Sequence, residues 1–243
     1  MSKFEDYEVV KKLFGGAQGK TFLVKLKKSG VLYVMKRVDY FDDKDKQQAD
    51  DEVAQMINLE SRFTVRLVCT FLDHLDLCLI LEYCSGGDLR KIVSDLQKLP
   101  QEERMNRVWE LQAQIIRALH HLHSHGVVHR DIKPENIFVM EDGSVRLGDF
   151  GLARDLTDNY FATLVGTKIY LAPEIWILKR IDFSSDIFSV GIIIYELLIG
   201  DHPFNADNEQ AMIEKIKKGE RAQISDWIEQ DLKEIVSAML NSV

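Results

Sequence analysis

The sequence predicts an α+β fold of two lobes, a small antiparallel β-sheet with one helix followed by a larger and mainly helical part. In the first eighty residues, short β-branched and aromatic runs alternate with glycine-rich turns, and a single helical pattern interrupts them. From Leu89 onward, apolar residues recur at helical spacing instead. The pair Gly86-Gly87 lies between the two patterns, and its composition is typical of a hinge.

The bulk composition excludes several classes of protein. A chain of 243 residues with 46% hydrophobic content can fill the core of one domain or of two lobes. The net charge of −8 argues against nonspecific binding to nucleic acid, because that binding requires a basic surface. The first residues lack the apolar core of a signal peptide, and the apolar run Val190–Ile199 is about half as long as a membrane span. We therefore expect a soluble cytoplasmic protein without a membrane partner.

The elements of the first lobe follow from local patterns. Strands are predicted at residues 7–10, 21–26, 31–38, 65–71 and 77–81. A helix is predicted at residues 45–59, with an apolar stripe of Val53, Met56, Ile57 and Leu59. Three cysteines, Cys69, Cys78 and Cys84, lack the spacing of a zinc site or a disulfide framework, and we expect reduced and mostly buried thiols.

The first turn, residues 13–21, permits more than one interpretation. Its glycines would let backbone amides approach a phosphate closely. The sequence Gly19-Lys20-Thr21 copies the end of a Walker loop, but that motif requires glycine where Phe14 stands and a helix where strand 21–26 is predicted. An ordinary hairpin turn is the third interpretation.

The second lobe is predicted to be mainly helical. Helices are expected at residues 89–98 and 101–125, separated by Pro100, and later at 192–199, 208–218 and 231–240. Residues 192–199 are apolar on nearly every side, which indicates a buried helix. His121 and His125 are spaced like two metal ligands on one helical face, but the sequence nearby offers no third ligand, and polar or cationic groups also suit a helix carboxyl end.

The candidate chemistry lies in His129–Asn136, which reads HRDIKPEN, and in Asp149-Phe150-Gly151 downstream. Asp131 can accept a proton from a hydroxyl group, and Lys133 can neutralise a migrating phosphoryl group. Asn136 and Asp149 offer the hard oxygen ligands that Mg²⁺ prefers. These residue types together indicate magnesium-dependent phosphoryl transfer.

These motifs resemble those of eukaryotic protein kinases of the serine/threonine type. Two further segments share the likeness, Gly166–Glu174 with the pattern GTxxYxAPE and Asp186–Gly191 with the pattern DxxSxG. Gly148 before the DFG triplet and Phe138 after Asn136 are similar to the never-in-mitosis-related (NIMA-related) group. The resemblance covers nearly the whole chain and implies a bilobed protein-kinase fold with an ATP cleft between the lobes.

The resemblance also implies the limits of the domain. It predicts one kinase domain over residues 1–243, with an N-lobe at 1–84 and a C-lobe at 85–243. Kinases of this type continue with a segment whose arginine pairs with the APE glutamate, here Glu174. The sequence ends before such a segment, so the expectation is a domain truncated at its carboxyl end.

The resemblance assigns roles to individual residues. Lys36, sixteen positions before Glu52, would form the ion pair that holds the α- and β-phosphates of ATP. Asp131 and Lys133 would act on the phosphoryl acceptor, and Asn136 and Asp149 would bind Mg²⁺. Further ATP-binding positions are Leu13, Gly16, Gly19, Thr21, Val34, Leu81, Glu82, Cys84, Asp88 and Phe138.

The resemblance further predicts regulation by phosphorylation. Thr163 occupies the position of the activating phosphosite, with Thr157 and Tyr160 as lesser candidates, and Arg130 and Arg154 would bind the phosphate. Thr167 would bond to Lys133 and Asp131, while Asp186 would anchor the backbone of the catalytic loop. His129 and Phe150 are expected to pack as buried residues that position the loop.

The expected partners are protein substrates with Ser or Thr hydroxyls and an upstream kinase or a second copy that phosphorylates Thr163. The domain itself is expected to be monomeric, in the cytoplasm and by analogy near the cytoskeleton or cilium. Five positions depart from the family pattern, namely Phe14 for glycine, Thr21 for valine, Val34 for alanine, Lys168 for proline and Phe188 for tryptophan. Phe14 and Thr21 leave a pseudokinase, a binding module without turnover, as the alternative.

Overall fold

The computed structural model describes residues 2–16, 19–155 and 166–241, apart from the side chains of 14–16, 19 and 155. The chain divides into two compact units, Met1–Ser85 and Gly86–Val243. No helix in the described part is long and apolar enough to cross a membrane.

The first unit is a five-stranded antiparallel sheet with one helix. In chain order its elements are β1 Tyr7–Gly16, β2 Gly19–Leu26, β3 Leu32–Asp39, helix α1 Asp43–Asn58, β4 Leu67–Asp73 and β5 Asp76–Glu82. The strands lie in the order β1-β2-β3-β5-β4, and a short 3-10 helix, Phe4–Asp6, precedes them. Helix α1 begins after Asp42, whose side chain accepts a hydrogen bond from the amide of Asp45 at 2.8 Å.

Strand β1 is longer than the sequence predicts. It was expected to end at residue 10, but it runs to Gly16, and Gly16 then pairs with Gly19 across a hairpin. The prediction relied on β-branched and aromatic residues, whereas residues 11–16 include two lysines and end in two glycines. The longer strand contains two register shifts, between Val9 and Lys11 and between Lys12 and Phe14. Because strand β2 rather than a helix follows Gly19, the Walker interpretation is wrong.

One face of the sheet carries its own hydrophobic core. Tyr7, Val24, Met35, Cys78 and Ile80 are buried there. Cys78 is fully enclosed, and burial raises the pKa of its thiol to about 11.

Helix α1 buries a narrower stripe than expected. Ala49, Glu52 and Met56 are buried, and they share one helical face because they are three and four residues apart. Ile57 was predicted to belong to this stripe but is 63% exposed. One further residue rotates the side chain by about 100°, which turns Ile57 away from the sheet.

The second unit is built around a buried helix. Its helices are α2 Leu89–Leu96, α3 Gln101–Ser124, α4 Pro173–Leu178, α5 Phe183–Ile199, α6 Glu209–Lys218 and α7 Gln230–Met239. Helix α5 is buried from Ser185 to Leu198 except at Ile187, and helices α2, α3 and α7 contact it. An added Cβ at Gly191 would lie 2.8 Å from Cβ of Met239, so glycine permits the close approach of α7.

Short strands and turns complete the second unit. They are β6 Gly87–Asp88, β7 Val127–Val128, β8 Ile137–Val139, β9 Val145–Leu147 and β10 Arg154–Asp155. Strands β6, β8 and β9 form one antiparallel sheet, and β7 pairs with β10. Two 3-10 helices, Pro134–Asn136 and Lys168–Tyr170, flank the functional residues. The sequence predicted neither these short elements nor helix α4.

Candidate active site

The loop between β7 and β8 is held at its start by a buried carboxylate. Asp186, on helix α5, accepts the backbone N–H of His129 at 2.9 Å and that of Arg130 at 3.0 Å. The Nε2 atom of His123 lies 3.0 Å from the same carboxylate. Arg130 adopts φ +71°, a conformation that non-glycine residues rarely take, and the bonds to Asp186 compensate its cost. The backbone before Asp131 is therefore fixed by α5.

Asp131 is the centre of a dense hydrogen-bond network. Its Oδ2 atom accepts from Nζ of Lys133 at 2.8 Å and from Nδ2 of Asn136 at 2.9 Å. Its Oδ1 atom accepts from the backbone N–H of Thr167 at 2.9 Å and from the Thr167 hydroxyl at 3.0 Å. Lys133 also donates to that hydroxyl, at 2.9 Å. The structure thus brings together the residues predicted to act on the acceptor, with Asp131 itself buried.

The two predicted metal ligands lie on connected backbone segments. Asn136 donates through Nδ2 to the carbonyl and carboxylate oxygens of Asp131, both at 2.9 Å, so its own carboxamide oxygen is left to act as a ligand. The N–H of Gly148 donates to the carbonyl of Asn136 at 2.9 Å, which ties the residue before Asp149 to this loop. Asp149 adopts φ +63°. An oxygen donor set of one carboxylate and one carboxamide fits Mg²⁺ when phosphate oxygens and water complete the shell.

The sequence's histidine pair offers a poorer metal site. The rings of His121 and His125 lie 4.6 Å apart. Within the described residues no group of three or more His, Cys, Asp and Glu side chains could hold a metal ion. Of the other histidines, His129 is fully buried, its ring lies 5.5 Å from that of Phe150, and its Nε2 atom is 3.1 Å from the carbonyl of Gly148.

The first unit contains the predicted lysine and glutamate as an ion pair. Nζ of Lys36, on β3, lies 2.7 Å from Oε1 of Glu52, on α1. The side chains are 12% and 7% exposed, so solvent screens the pair weakly. Met56 is buried on the same face of α1, one turn after Glu52, as the spacing predicts.

The remaining predicted ATP-binding residues of the first unit follow the sheet register. Thr21 lies opposite Lys36, and Val34 lies opposite Leu81. Leu13 falls at a register shift of β1, and Gly16 and Gly19 form the last pair of the hairpin. Cys84 is 7% exposed, and the N–H of Glu82 donates to the carbonyl of Arg66 at 3.0 Å.

Two predicted ATP-binding residues belong to the second unit. Asp88 and Phe138 pair across β6 and β8. The side chain of Asp88 accepts from the amide of Lys91 at 3.1 Å and so caps helix α2. The predicted contact of Asp88 with ribose stays a prediction.

The regulatory residues are described only in part. Thr163, and with it Thr157 and Tyr160, lies outside the described residues. Arg154 lies in β10 opposite Val128, and Val128 is two residues before Arg130. The two arginines predicted to bind phosphate are therefore carried by neighbouring backbone segments. Gly166 adopts φ +93°, and a Cβ there would lie 2.6 Å from the carbonyl oxygen of Arg130. Only glycine lets this segment approach the catalytic loop so closely.

Comparison with known proteins identifies the family. The family model described as "Protein kinase domain" matches residues 7–243. The chain belongs to the protein kinase family. The NIMA-related likeness is confirmed as well, since the chain is 36% identical over 240 residues to the serine/threonine-protein kinase Nek1 of Mus musculus. It is 35% identical over 251 residues to Nek2 of Homo sapiens and 30% identical over 274 residues to the G2-specific protein kinase nimA of Emericella nidulans.

The chain covers these relatives unequally. The alignments take in 97%, 99% and 99% of this chain but only 20%, 56% and 39% of Nek1, Nek2 and nimA. The kinase chain therefore spans between a fifth and just over half of the length of these relatives.

A cluster that the motifs did not reveal lies beside the kinase catalytic loop. Arg90, on α2, donates from Nε to Oε1 of Glu135 at 2.8 Å, and its Nη1 atom lies 3.4 Å from Oε2 of Glu196, on α5. It also donates to the hydroxyl of Tyr170, which itself donates to Glu196 at 2.9 Å. Burial raises the pKa of both Tyr170 and Glu196. A glutamate inside the apolar run Val190–Ile199 is the one sequence signal that pointed to such a partner.

Two further contacts in the second unit also involve residues that no sequence motif had indicated. Nε2 of His202 is 3.1 Å from the carbonyl of Ile169, and burial lowers the pKa of His202 to about 4. The hydroxyl of Ser185 donates to Oε1 of Glu174 at 2.7 Å. Glu174 is thereby hydrogen-bonded within the chain.

Proposed function

We propose that the chain is a protein serine/threonine kinase that transfers the γ-phosphoryl group of Mg-ATP to Ser and Thr hydroxyls of protein substrates. The observation that carries this proposal is the network in which Asp131 contacts Lys133, Asn136 and Thr167. The lysine two residues after the catalytic aspartate is typical of serine/threonine rather than tyrosine kinases. The serine/threonine-protein kinases Nek1 and Nek2, which are similar over nearly the whole chain, support the same assignment.

In this proposal Asp131 orients the acceptor hydroxyl and takes its proton as the new O–P bond forms. Such a base needs little intrinsic basicity, because phosphoryl transfer depends mainly on alignment and charge neutralisation. Lys133 would neutralise charge that develops on the transferred group, and Thr167 would keep both side chains in place. The contacts that fix Asp131 and Lys133 before substrate arrives lower the entropy lost in reaching the reactive geometry.

Asn136 and Asp149 would hold Mg²⁺, which supplies positive charge to the phosphate oxygens of ATP. Lys36, oriented by Glu52, would bind the α- and β-phosphates. The glycines of the β1–β2 hairpin would offer backbone amides to phosphate. Leu13, Thr21, Val34, Leu81, Glu82, Cys84, Asp88 and Phe138 complete the proposed nucleotide contacts.

The first prediction tests the base. We expect Asp131→Asn to lower kcat for a Ser-containing protein substrate by about 10³-fold, because a positioned acid–base group contributes about 10²–10⁴-fold. The measurement is transfer of radiolabelled phosphate from Mg-ATP to a generic substrate such as casein. Asp142→Asn, in an exposed turn, is the matched control and should keep wild-type activity.

Equal activity of Asp131→Asn and wild type would contradict the proposed mechanism. Absence of transfer by the wild type, also after phosphorylation of Thr163 by an added kinase, would favour the pseudokinase instead. Lys36, Glu52, Asp131, Lys133, Asn136 and Asp149 are all present, and this set argues for turnover.

Regulation, boundaries and location belong to the same proposal. Phosphorylation of Thr163, by another kinase or by a second copy, would add a charge that Arg130 and Arg154 bind. We take residues 1–84 and 85–243 as the lobes of one monomeric kinase domain. A cytoplasmic role in the cell cycle is proposed from likeness to a G2-specific kinase alone. Detection of phosphate on Thr163 in the active enzyme would support this phosphosite. Full activity of Thr163→Ala would contradict it.

A further inference from the structure

Two carboxylates beside the catalytic loop share one cation from the same chain. Glu135 lies in the 3-10 helix that follows Lys133, and Glu196 lies in α5. Both accept from the guanidinium of Arg90. We name Glu135 and Glu196 the acidic pair.

The acidic pair has a buried and an exposed end. The side chain of Glu196 is 5% exposed, whereas that of Glu135 is 40% exposed and that of Arg90 is 41% exposed. A charged carboxylate as deeply buried as Glu196 needs a compensating donor, and Arg90 and Tyr170 provide it. Because Arg90 and Glu135 are both partly exposed, removing the side chain of Arg90 would leave the acidic pair without its cation and open to another one.

Two chain segments connect the acidic pair and Arg90 with the residues that contact Asp131. Glu135 immediately precedes Asn136, which donates to Asp131. Tyr170, the third ligand of Arg90, is three residues after Thr167, which also contacts Asp131. Because consecutive residues of an extended peptide are about 3.3 Å apart, a peptide whose hydroxyl reaches Asp131 can place a neighbouring side chain at the acidic pair.

We propose that Arg90 is a specificity-determining residue: it fills an acidic subsite formed by Glu135 and Glu196, and so prevents the kinase from selecting substrates with a basic residue near the phosphoacceptor. This inference rests on the proposed kinase function. In the wild type, an arginine of the substrate meets a guanidinium already in place. Substrates with neutral or acidic neighbours are the class that the site accepts.

The alternative is that Arg90 only stabilises the fold. A structural role predicts that Arg90→Ala lowers activity toward all peptides alike. A specificity role predicts that the vacated acidic pair gains affinity for the guanidinium of a peptide. The ratio of activities toward two peptides separates these roles, because a general loss of folded enzyme cancels in the ratio.

The experiment uses the full chain and peptides with one Ser, identical except for a single Arg or Ala placed in turn at each of the neighbouring positions. We expect Arg90→Ala to raise the Arg/Ala ratio of kcat/KM at one or two positions by about tenfold, as a charge-assisted contact restored by the substrate would do. Lys91→Ala removes the same charge from an exposed neighbour on α2 and is the matched control. Its ratios should equal those of the wild type.

Three further arms identify the cause of a change in the ratio. Arg90→Gln retains a donor for Glu196 without the charge, and should show the same gain if Arg90→Ala fails to fold. Adding Glu135→Gln to Arg90→Ala should remove most of the gain. Ethylguanidinium should compete with the Arg peptide in Arg90→Ala and leave the wild type unaffected.

Unchanged Arg/Ala ratios in both Arg90 variants would overturn the inference, even with the kinase active. Transfer by the wild type to none of the peptides would contradict the proposed function. Peptide binding by fluorescence anisotropy then still tests Arg90, because tighter binding of the Arg peptide by the variants requires no turnover. Equal binding of both peptides in every variant would overturn the inference there too.

Discussion

Helix α1 of the first unit and helix α5 of the second unit each carry one predicted functional carboxylate, but the packing of the two helices within their own units differs greatly. Helix α1 buries Ala49, Glu52 and Met56 and exposes most of its other residues. Helix α5 is buried on nearly every side. Glu52 makes its ion pair from a helix with a narrow apolar stripe, whereas Asp186 bonds to the catalytic loop from the core of its unit.

The difference separates functional residues that can shift from functional residues that are fixed. A helix with few buried contacts can shift at a small cost in free energy, because little apolar area leaves its packed position. A helix enclosed by three others cannot shift without opening voids around it. We infer that regulation can act through the Lys36–Glu52 pair, while Asp131 keeps its position in every state of the folded second unit.

The largest effect is expected from Asp186→Ala. It leaves the buried N–H groups of His129 and Arg130 without an acceptor, which should lower the free energy of unfolding by about 3 kcal/mol. Loss of the loop position should also lower kcat by about 100-fold. Urea denaturation and phosphate transfer measure the two effects.

Asp182→Ala, which removes the N-cap of α5, is the control and should lower the free energy of unfolding by only about 1 kcal/mol with activity retained. Wild-type stability of Asp186→Ala would refute the role of α5 as a rigid support.

A smaller and purely catalytic effect is expected from Glu52→Gln. The substitution weakens the contact with Lys36 and should lower kcat/KM by about tenfold through poorer charge placement. The melting temperature should change little, because α1 keeps Ala49 and Met56 in place. Glu60→Gln, at an exposed position just after α1, serves as the control. If Glu52→Gln instead unfolds the first unit, the contrast between the two helices is wrong.

The smallest effects on activity are expected from one substitution on each helix, which tests packing alone. Gly191→Ala puts a methyl group against Met239 and should destabilise the second unit by about 2 kcal/mol. Ile57→Ser, on the exposed side of α1, should change stability by at most about 0.5 kcal/mol. Thermal unfolding of both variants under identical conditions gives the comparison. Equal losses would show that α1 is packed more tightly than its exposure indicates.

Sequence patterns recovered the parts of the molecule that depend on local spacing. Asp131, Lys133 and Asn136 meet because a tight loop brings residues two and five apart together. The pairing of Lys36 with Glu52 followed from the resemblance to protein kinases, and the register of Met56 singled out Glu52 among the neighbouring acidic residues. Helix α3 was predicted to within a residue, because its apolar period is long and regular.

The parts that failed depend on distant contacts. Arg90 and Glu196 are 106 positions apart, and neither belongs to a motif. The positive φ angles of Arg130 and Asp149 are imposed by the surrounding structure, since neither residue type prefers them. Ile57 was predicted to be a core residue because it is apolar and lies next to the buried stripe of α1. Apolar character alone does not determine whether a residue at the edge of such a stripe is buried, and Ile57 is exposed.

The enclosed thiol of Cys78 can report how often the sheet of the first unit opens. With its pKa near 11 and no exposed surface, Cys78 presents almost no thiolate to an alkylating reagent while the sheet is closed. Its labelling rate therefore counts how often strands β3, β4 and β5 separate. Lys36 lies in β3, opposite Leu79 of the strand that carries Cys78. A nucleotide bound at Lys36 should therefore lower the rate at which Cys78 is labelled.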